Sequence, residues 1–147
     1  MALNFPNSPI LNQIFKNGNQ SWIWDGVSWD TTGATTLPYA IVGFYPGRVQ
    51  ATTLFIFHVP PWVLYFLPDF GGSYAASDTA TELESTFYIM INDGIVGTLT
   101  FAAGSRTGSF AMPSELYVQP GDTFKVQTPY TTDLTLADVT FSIVGNR

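Results

Sequence analysis

Few side chains in this sequence could take part in catalysis. The chain has one histidine and no cysteine. A nucleophilic triad needs a base beside its serine or cysteine, and His58 is the only histidine that could supply one. His58 lies in the apolar segment 54–59, where on a strand it would share a face with Leu54 and Ile56. We therefore predict that His58 is a structural residue, in the core or at an interface, and that it is not catalytic.

Carboxylates are the other candidates, because glycoside hydrolysis needs only two of them. They form two groups along the chain: Asp69, Asp78, Glu82 and Glu84, and Asp122, Asp133 and Asp138. Asp122 follows Pro120-Gly121, a sequence typical of turns in which the carboxylate accepts backbone N–H groups. A calcium site built from loop carboxylates is the alternative, although no EF-hand or repeat spacing supports it. We expect turn-stabilising roles for these groups and predict no catalytic residue, no metal site and no cofactor.

Aromatic side chains could bind sugars by stacking on their rings. On a β-sandwich, aromatic residues more often fill the core or a subunit interface. Both interpretations stay open at this point. The residues predicted to contact either a glycan or a neighbouring subunit are Trp62, Tyr65, Tyr74 and Tyr130.

The composition indicates a folded protein with an unusually uncharged surface. Apolar residues make up 46% of its 147 residues, enough for one ordinary domain with a small appendage. Charged residues make up only 11%, compared with roughly 25% in typical soluble domains. The net charge is −6 and the five basic residues are scattered singly, which argues against binding nucleic acid through its phosphates. A surface this poor in charge is a first indication of an assembly component.

Neither a signal peptide nor a membrane span is predicted. The N-terminal residues MALNFPNSP contain no charged segment followed by an apolar one. The longest apolar stretch, residues 54–67, is interrupted by His58 and Pro60-Pro61. It is also shorter than the about 20 residues that a spanning helix needs.

Residues 85–104 predict a β-hairpin around which the rest of the chain is organised. Apolar residues alternate with polar ones on both sides of Asn92-Asp93-Gly94, with Phe87 and Ile89 before it and Ile95 after it on the apolar face. A tight hairpin turn needs positive φ, which glycine tolerates best. We therefore expect Gly94 to supply the positive φ of this turn.

The remaining sequence predicts an all-β fold. From residue 37 onward, turn residues recur every 8 to 12 positions and no helical period is evident, apart from a single helical turn expected over residues 79–84. This spacing predicts an antiparallel sandwich or barrel over residues 37–147, and of these we expect a jelly-roll-like β-sandwich. The predicted strands are 39–44, 52–59, 63–67, 86–91, 95–102, 109–112, 116–118, 123–128 and 140–144.

The first 30 residues predict a separate small β-meander, joined to the sandwich by a Gly/Thr linker at residues 31–36. Its strands are expected at 10–16, 20–24 and 27–29, and Trp22 and Trp24 would then share one face. These rings either stabilise the mini-sheet by cross-strand pairing or dock, with the proline-rich lead-in, onto another chain. The two interpretations are compatible.

The N-terminal sequence resembles an element of tailed-bacteriophage virion proteins, with the pattern FPxxP…GQ…W.WDG..W. The matching residues are Asn4-Phe5-Pro6-Asn7-Ser8-Pro9, Asn12-Gln13-Ile14-Phe15 and Trp22-Ile23-Trp24-Asp25-Gly26-Val27-Ser28-Trp29. Asn12 stands where that element usually has glycine. Residues 87–147, together with 39–73, are similar to a β-sandwich module that closes phage structural proteins, through segments such as Phe101-Ala102-Ala103-Gly104, Pro120-Gly121-Asp122 and Gly145-Asn146-Arg147.

This resemblance implies a virion structural protein, assembled in the host cytoplasm: a homotrimeric tail-fibre or baseplate-associated component with the sandwich as a knob. The N-terminal element would be the adaptor that docks on other virion proteins, and a host-surface glycan is a further expected partner. The residues expected to dock are Phe5, Pro6, Pro9, Trp22, Trp24 and Trp29. A capsid decoration (cement) protein is the alternative within virion proteins, and a carbohydrate-binding module is the alternative of another class.

Overall fold

A computed structural model describes residues 4–18, 20–31, 37–131 and 133–147. The chain divides into two compact units, Met1–Thr36 and Leu37–Arg147. The linker predicted at residues 31–36 falls at this division. Thr31 is the last residue of a strand, and residues 32–36 lie outside the described residues. In the described parts of the chain every strand pairing is antiparallel and no α-helix occurs, which confirms the predicted all-β class.

The first unit is a three-stranded meander. Its strands are β1 (Ile14–Asn17), β2 (Gln20–Trp24) and β3 (Trp29–Thr31), paired in that order. The first strand begins later than predicted, because residues 10–13 form a turn in which the Gln13 N–H donates to the Ile10 carbonyl at 2.9 Å. Asn12 takes a φ of 65° in this turn, a conformation that ends extended structure and that glycine and asparagine adopt most readily. Asn12 is therefore compatible with a position where the phage element usually has glycine.

The second unit contains ten strands and one short 3₁₀ turn at Pro68–Phe70. The strands are β4 (Pro38–Arg48), β5 (Leu54–His58), β6 (Leu64–Phe66), β7 (Tyr74–Thr79), β8 (Ser85–Ile91), β9 (Gly94–Phe101), β10 (Thr107–Ala111), β11 (Leu116–Val118), β12 (Phe124–Gln127) and β13 (Ala137–Asn146).

These strands form a jelly roll. One four-stranded sheet has the order β4-β13-β7-β10 and the other has the order β9-β8-β12-β5, with β9 also paired to β10. The short strands β6 and β11 pair with each other and extend the end of β13. The two sheets face each other, since the rings of Phe55 on β5 and Phe141 on β13 lie 4.8 Å apart. This order of strands is the double Greek key of viral-capsid and lectin-type jelly rolls.

One predicted element of this unit is absent, and one strand was not predicted. Residues 79–84 form no helical turn. Strand β7 was not predicted, because its sequence YAASDT lacks large alternating apolar residues. It lies in the middle of its sheet, between β13 and β10, and only small side chains, Ala75 and Ser77, point into the core from it. Its place in the sheet comes from its neighbours rather than from its own β propensity.

The predicted hairpin of residues 85–104 is present, but its turn is displaced by one residue. Ile91 pairs with Gly94, so the two-residue loop is Asn92-Asp93 and both of these residues have positive φ, 48° and 71°. Two positive φ values in a two-residue loop define a type I′ turn, in which asparagine and aspartate are well tolerated. Gly94 does not have positive φ, so the role predicted for it is filled by Asp93.

A β-bulge in the same hairpin reverses the expected orientation of one side chain. Ile89 pairs with Gly97 whereas Met90 pairs with Ile95, so Val96 has no partner on β8. An extra residue in one strand shifts the alternation of its side chains by one position. As a result Val96 packs against the core and Ile95, expected inside, is exposed.

The core of the second unit lies between the two sheets and is rich in phenylalanine. The six fully buried rings are Phe66, Phe70, Phe87, Phe101, Phe124 and Phe141. Burial of each such side chain contributes about 1.5–3 kcal/mol of stability. Glycines in the strands make room for some of these rings: a Cβ placed on Gly97 would lie 2.8 Å from the Phe70 ring and 2.8 Å from the Ala111 carbonyl oxygen.

We expect the substitution Gly97→Ala to destabilise the protein by about 1–3 kcal/mol, because neither the Phe70 ring nor the β10 backbone can move without disturbing the core. Urea denaturation at neutral pH measures this change. Gly71→Ala is the matched control, since a Cβ at Gly71 would make only ordinary contacts at 3.5 Å or more and should change stability by less than about 0.5 kcal/mol. Equal stability of the two variants would contradict the packing described for Gly97.

Candidate functional site

His58 is held by a tyrosine. Its Nε2 atom lies 2.9 Å from the hydroxyl of Tyr39 on β4, and the centres of the two rings are 5.9 Å apart. The imidazole is half-buried at the end of β5. The hydrogen bond gives His58 a partner within the fold, and the absence of a catalytic role stays a prediction.

Asp133 is a buried carboxylate that joins two loops. Its Oδ1 atom accepts the N–H groups of Thr135 at 2.7 Å and Leu136 at 3.1 Å, together with the Thr135 hydroxyl. Its Oδ2 atom accepts the N–H of Leu83, fifty residues earlier in the chain, at 2.7 Å. Burial by itself would raise the pKa of Asp133, but these hydrogen bonds outweigh it and lower the pKa well below its usual range. The carboxylate therefore stays ionised and acts as a structural clamp.

Asp122 has a similar role beside the hairpin turn of β8 and β9. Its Oδ1 atom accepts a hydrogen bond from the Asn92 side-chain amide at 2.7 Å, and its Oδ2 atom accepts the Gln119 N–H at 2.8 Å. The bond from Asn92, followed by that from Gln119, lowers the pKa of Asp122. The predicted turn role of Asp122 is thus confirmed by its contacts.

Two more carboxylates bind backbone groups. Asp138 accepts the N–H of Gly47 at 2.7 Å, and Asp69 accepts the N–H of Met112 at 3.0 Å. Among the residues that the structure describes, no three histidine or acidic side chains approach closely enough to hold a metal ion. The acidic residues whose hydrogen bonds to the backbone are described here therefore stabilise loops and turns of the fold.

The aromatic residues of the first unit form its own small core. The Phe5 ring stacks on the Trp29 ring at 5.3 Å and meets the edge of the buried Trp22 ring at 5.4 Å. Trp24 shares the face of Trp22, as predicted, and pairs across the strands with Trp29 at 5.6 Å. Phe15 completes the cluster, with its centre 4.9 Å from that of Phe5. Cross-strand aromatic pairing thus stabilises the meander, and a docking role for these residues stays a prediction.

Three of the exposed apolar side chains of the first unit lie in its turns, and a fourth, Ile14, begins β1. Ile10 and Leu11 belong to the turn before β1, and Val27, 85% exposed, belongs to the turn between β2 and β3. The Leu11 side chain lies against Gly26, next to Val27. Pro6 and Pro9 are half-buried. Sequence analysis did not single out Ile10, Leu11 or Val27, because turn positions carry no strand periodicity.

The outward face of one sheet carries two neighbouring rows without a charged side chain, here called the neutral face; the next outward residue of β7 beyond these rows is the exposed Asp78. Rows of paired residues cross the sheet β4-β13-β7: Val42, Ser142 and Tyr74 in one row, and Phe44, Thr140 and Ala76 in the next. Val42, Phe44 and Tyr74 are 65%, 61% and 78% exposed. A shallow depression of about 340 Å³ lies over these rows. Tyr74, predicted to contact a glycan or a subunit, therefore belongs to a neutral, largely apolar face.

Trp62 and Tyr65 lie near the end of β13, at a different place. The Arg147 guanidinium lies over the half-exposed Trp62 ring, 4.4 Å from its centre. Tyr65 pairs with Asn146 on β13 and with Tyr117 on β11, and its hydroxyl donates to the Glu115 carboxylate at 2.8 Å. Sequence reasoning missed Tyr117 and Glu115, since only the pairing of β6 with β11 brings them beside Tyr65.

Tyr130 lies against the other sheet, where its ring centre is 5.1 Å from that of Tyr88 on β8. The outward face of this sheet carries Lys125, which forms an ion pair with Asp93. The four aromatic residues predicted to form contacts are therefore spread over three surfaces. Only Trp62 and Tyr65 are near one another, through the last residues of the chain.

No protein-family model matches the chain, and no curated protein matches it in sequence. Within the described parts of the chain there is no helix of the length and apolarity needed to cross a bilayer.

The Asp133 clamp predicts a pH-dependent loss of stability. Asp133→Asn replaces an acceptor with an NH₂ group that faces the N–H groups of the clamp, so we expect it to destabilise the protein by about 1–3 kcal/mol at pH 7. Because the folded-state pKa of Asp133 is lowered, its contribution is present above the unfolded-state pKa of 3.8 and is lost as the pH falls below it. Urea denaturation of both proteins between pH 3 and pH 7 measures this.

The exposed Asp78 provides the control, since Asp78→Asn should change stability by less than about 0.5 kcal/mol over the whole pH range. A difference between wild type and Asp133→Asn that stays the same from pH 7 to pH 3 would show that the charge of Asp133 has no part in the clamp.

Proposed function

We propose that this chain is a structural component of a tailed-phage particle, a homotrimeric tail-fibre or baseplate-associated protein whose N-terminal unit anchors it to other virion proteins. The resemblance of the N-terminal sequence to the phage element suggests the particle. The jelly-roll fold is compatible with it, because that architecture is frequent in viral structural proteins. No catalytic role is proposed. Sequence analysis singled out several carboxylates, and those with described contacts accept hydrogen bonds from backbone N–H groups.

The observation that carries the proposal is the neutral outward face of β4, β13 and β7. The centres of subunit interfaces are depleted in charged residues, and this face presents Val42, Phe44 and Tyr74 with only small uncharged side chains between them. Copies of these two rows can meet around a symmetry axis without bringing like charges together.

The first unit suits an adaptor. Its aromatic residues already pack on one another, which gives a small folded body, while Ile10, Leu11 and Val27 expose apolar surface at its turns. A body this small exposes a large share of its apolar surface and gains stability by packing on a partner. These exposed residues, together with the predicted docking residues, support anchoring on another virion protein.

We expect the full chain to have the mass of a trimer in solution at micromolar concentration. Val42→Lys puts a charge in the centre of the proposed interface and should give the mass of a monomer with an unchanged circular dichroism spectrum. Size-exclusion chromatography with light scattering measures the mass.

Leu54→Lys is the control, because Leu54 is also an exposed apolar residue but lies on β5 in the other sheet. It should remain a trimer. A monomeric wild type, or a trimer that survives Val42→Lys, would rule out the proposed interface.

We also expect the N-terminal unit to be needed for incorporation into particles. A chain lacking residues 1–30 should fold but be absent from purified particles, as measured by quantitative mass spectrometry. The same measurement on wild type gives the number of copies per particle. A small number indicates a fibre or baseplate position, whereas one copy for every capsomer position would show that the protein decorates the capsid instead. Incorporation of the truncated chain would contradict the adaptor role.

A further inference from the structure

A row of outward-facing side chains crosses the edge of the sandwich where β11, β6 and β13 meet. Tyr117, Tyr65 and Asn146 are successive cross-strand partners in this row. Neighbouring strands are about 4.8 Å apart, so the row is roughly 10 Å wide. Its direction is fixed, because the residues that flank it along the strands, such as Phe66, Val118 and Gly145, are buried.

The row combines two aromatic rings with polar groups at their edges. The ring centres of Tyr65 and Tyr117 are 4.9 Å apart, and Tyr117 is 56% exposed. The Tyr65 hydroxyl donates to Glu115 Oε2 at 2.8 Å, which leaves the tyrosine oxygen and the other carboxylate oxygen as acceptors. The Asn146 amide offers both a donor and an acceptor.

This combination fits the chemistry of a sugar ring. A pyranose has an apolar face of C–H groups, which the electron-rich face of a tyrosine attracts, and an edge of hydroxyl groups, which carboxylate and amide groups bind. We infer that Tyr117, Tyr65, Asn146 and Glu115 form a binding site for an oligosaccharide. The inference rests on the proposed function and names its outward partner: a glycan at the surface of the host.

Two shallow depressions flank the row and favour an oligosaccharide over a single sugar. One of about 280 Å³ includes Glu115 and Met112 in its wall, and the other, of about 270 Å³, is lined by Leu37, Trp62 and Arg147. In the second depression, the Trp62 ring and the Arg147 guanidinium lie near Asn146, the residue that precedes Arg147. Sugar units on either side of the one stacked on the tyrosines would lie in these depressions.

The hydrogen bond from Tyr65 to Glu115 favours the protonated form of the Tyr65 phenol. This bond, followed by burial and the charge of Glu115, raises the pKa of Tyr65. The phenol therefore keeps its proton through neutral and mildly alkaline pH and continues to hold the carboxylate in place beside the rings.

The test uses the full chain and a printed array of oligosaccharides that contain hexoses and N-acetylhexosamines, followed by calorimetric titration with the array member that binds best. Tyr117→Ala removes the exposed ring, and Glu115→Gln removes the charge while keeping the shape. We expect each to weaken binding about tenfold or more. Tyr130→Ala is the matched control, since Tyr130 is an exposed tyrosine against the other sheet, outside both the proposed trimer interface and the proposed glycan site, and it should leave the affinity unchanged.

Thermal melting of each variant shows that a loss of affinity is not a loss of folding. The inference is overturned if the wild type binds no member of the array, or if Tyr130→Ala weakens binding as much as Tyr117→Ala does. Light scattering and particle incorporation of Tyr117→Ala are measured on the same preparations. If the wild type binds no glycan but both it and Tyr117→Ala assemble and enter particles, the glycan site is ruled out and the proposed function is not. If the wild type itself does not enter particles, the proposed function is ruled out.

Discussion

The core of the sandwich is built by phenylalanine rings that pack on glycines of neighbouring strands. A Cβ on Gly43 would lie 2.7 Å from the Phe141 ring, and one on Gly145 would lie 2.7 Å from the Phe66 ring. Glycine inside a strand normally weakens it, unless a ring covers the exposed backbone. Here a ring from the adjacent strand occupies the space that a side chain at the glycine would take. The position of each ring and the pairing of the two strands therefore depend on one another.

Because the core is filled in this way, a partner of the second unit would contact its outer surface. The space between the sheets is filled by side chains such as Phe87, Phe124 and Phe141, whose burial supplies the stability of the fold. Loops of the sandwich are joined by hydrogen bonds to buried groups. The Asp133 clamp, which joins the loops before β8 and β13, is an example. What a partner can contact are the outward rows of paired residues: a neutral face on one sheet, and an aromatic and polar row at the edge.

The sequence was sufficient to predict those features that depend on neighbours in the chain. The alternation in residues 85–104 gave the hairpin, and the turn residues of the second unit gave the jelly-roll class. Features that depend on distant partners were not predictable. Strand β7 is held by β13 and β10, and the displaced turn at Asn92-Asp93 is supported by Asp122 and Thr123 from another loop.

The candidate surfaces likewise combine residues that could be identified from the sequence with residues that could not. Trp62, Tyr65, Tyr74 and Tyr130 were identified by residue type alone, and the structure places them on three different surfaces. Tyr117 and Glu115 carry no local signal, because they become neighbours of Tyr65 only through a three-residue strand pair. Similarly, the neutral face of β4, β13 and β7 depends on a strand that has no β pattern of its own.

A cryo-electron microscopy map of the protein in the assembled particle tests the central claim most directly, namely that the sandwich keeps its interior closed and makes its contacts through outward side chains. We expect three intact jelly rolls around an axis, with Val42, Phe44 and Tyr74 at their contacts and the first unit against another virion protein. A map in which a strand of the sandwich is exchanged with a neighbour, or in which the β4-β13-β7 face is solvent-exposed in every copy, would contradict the account.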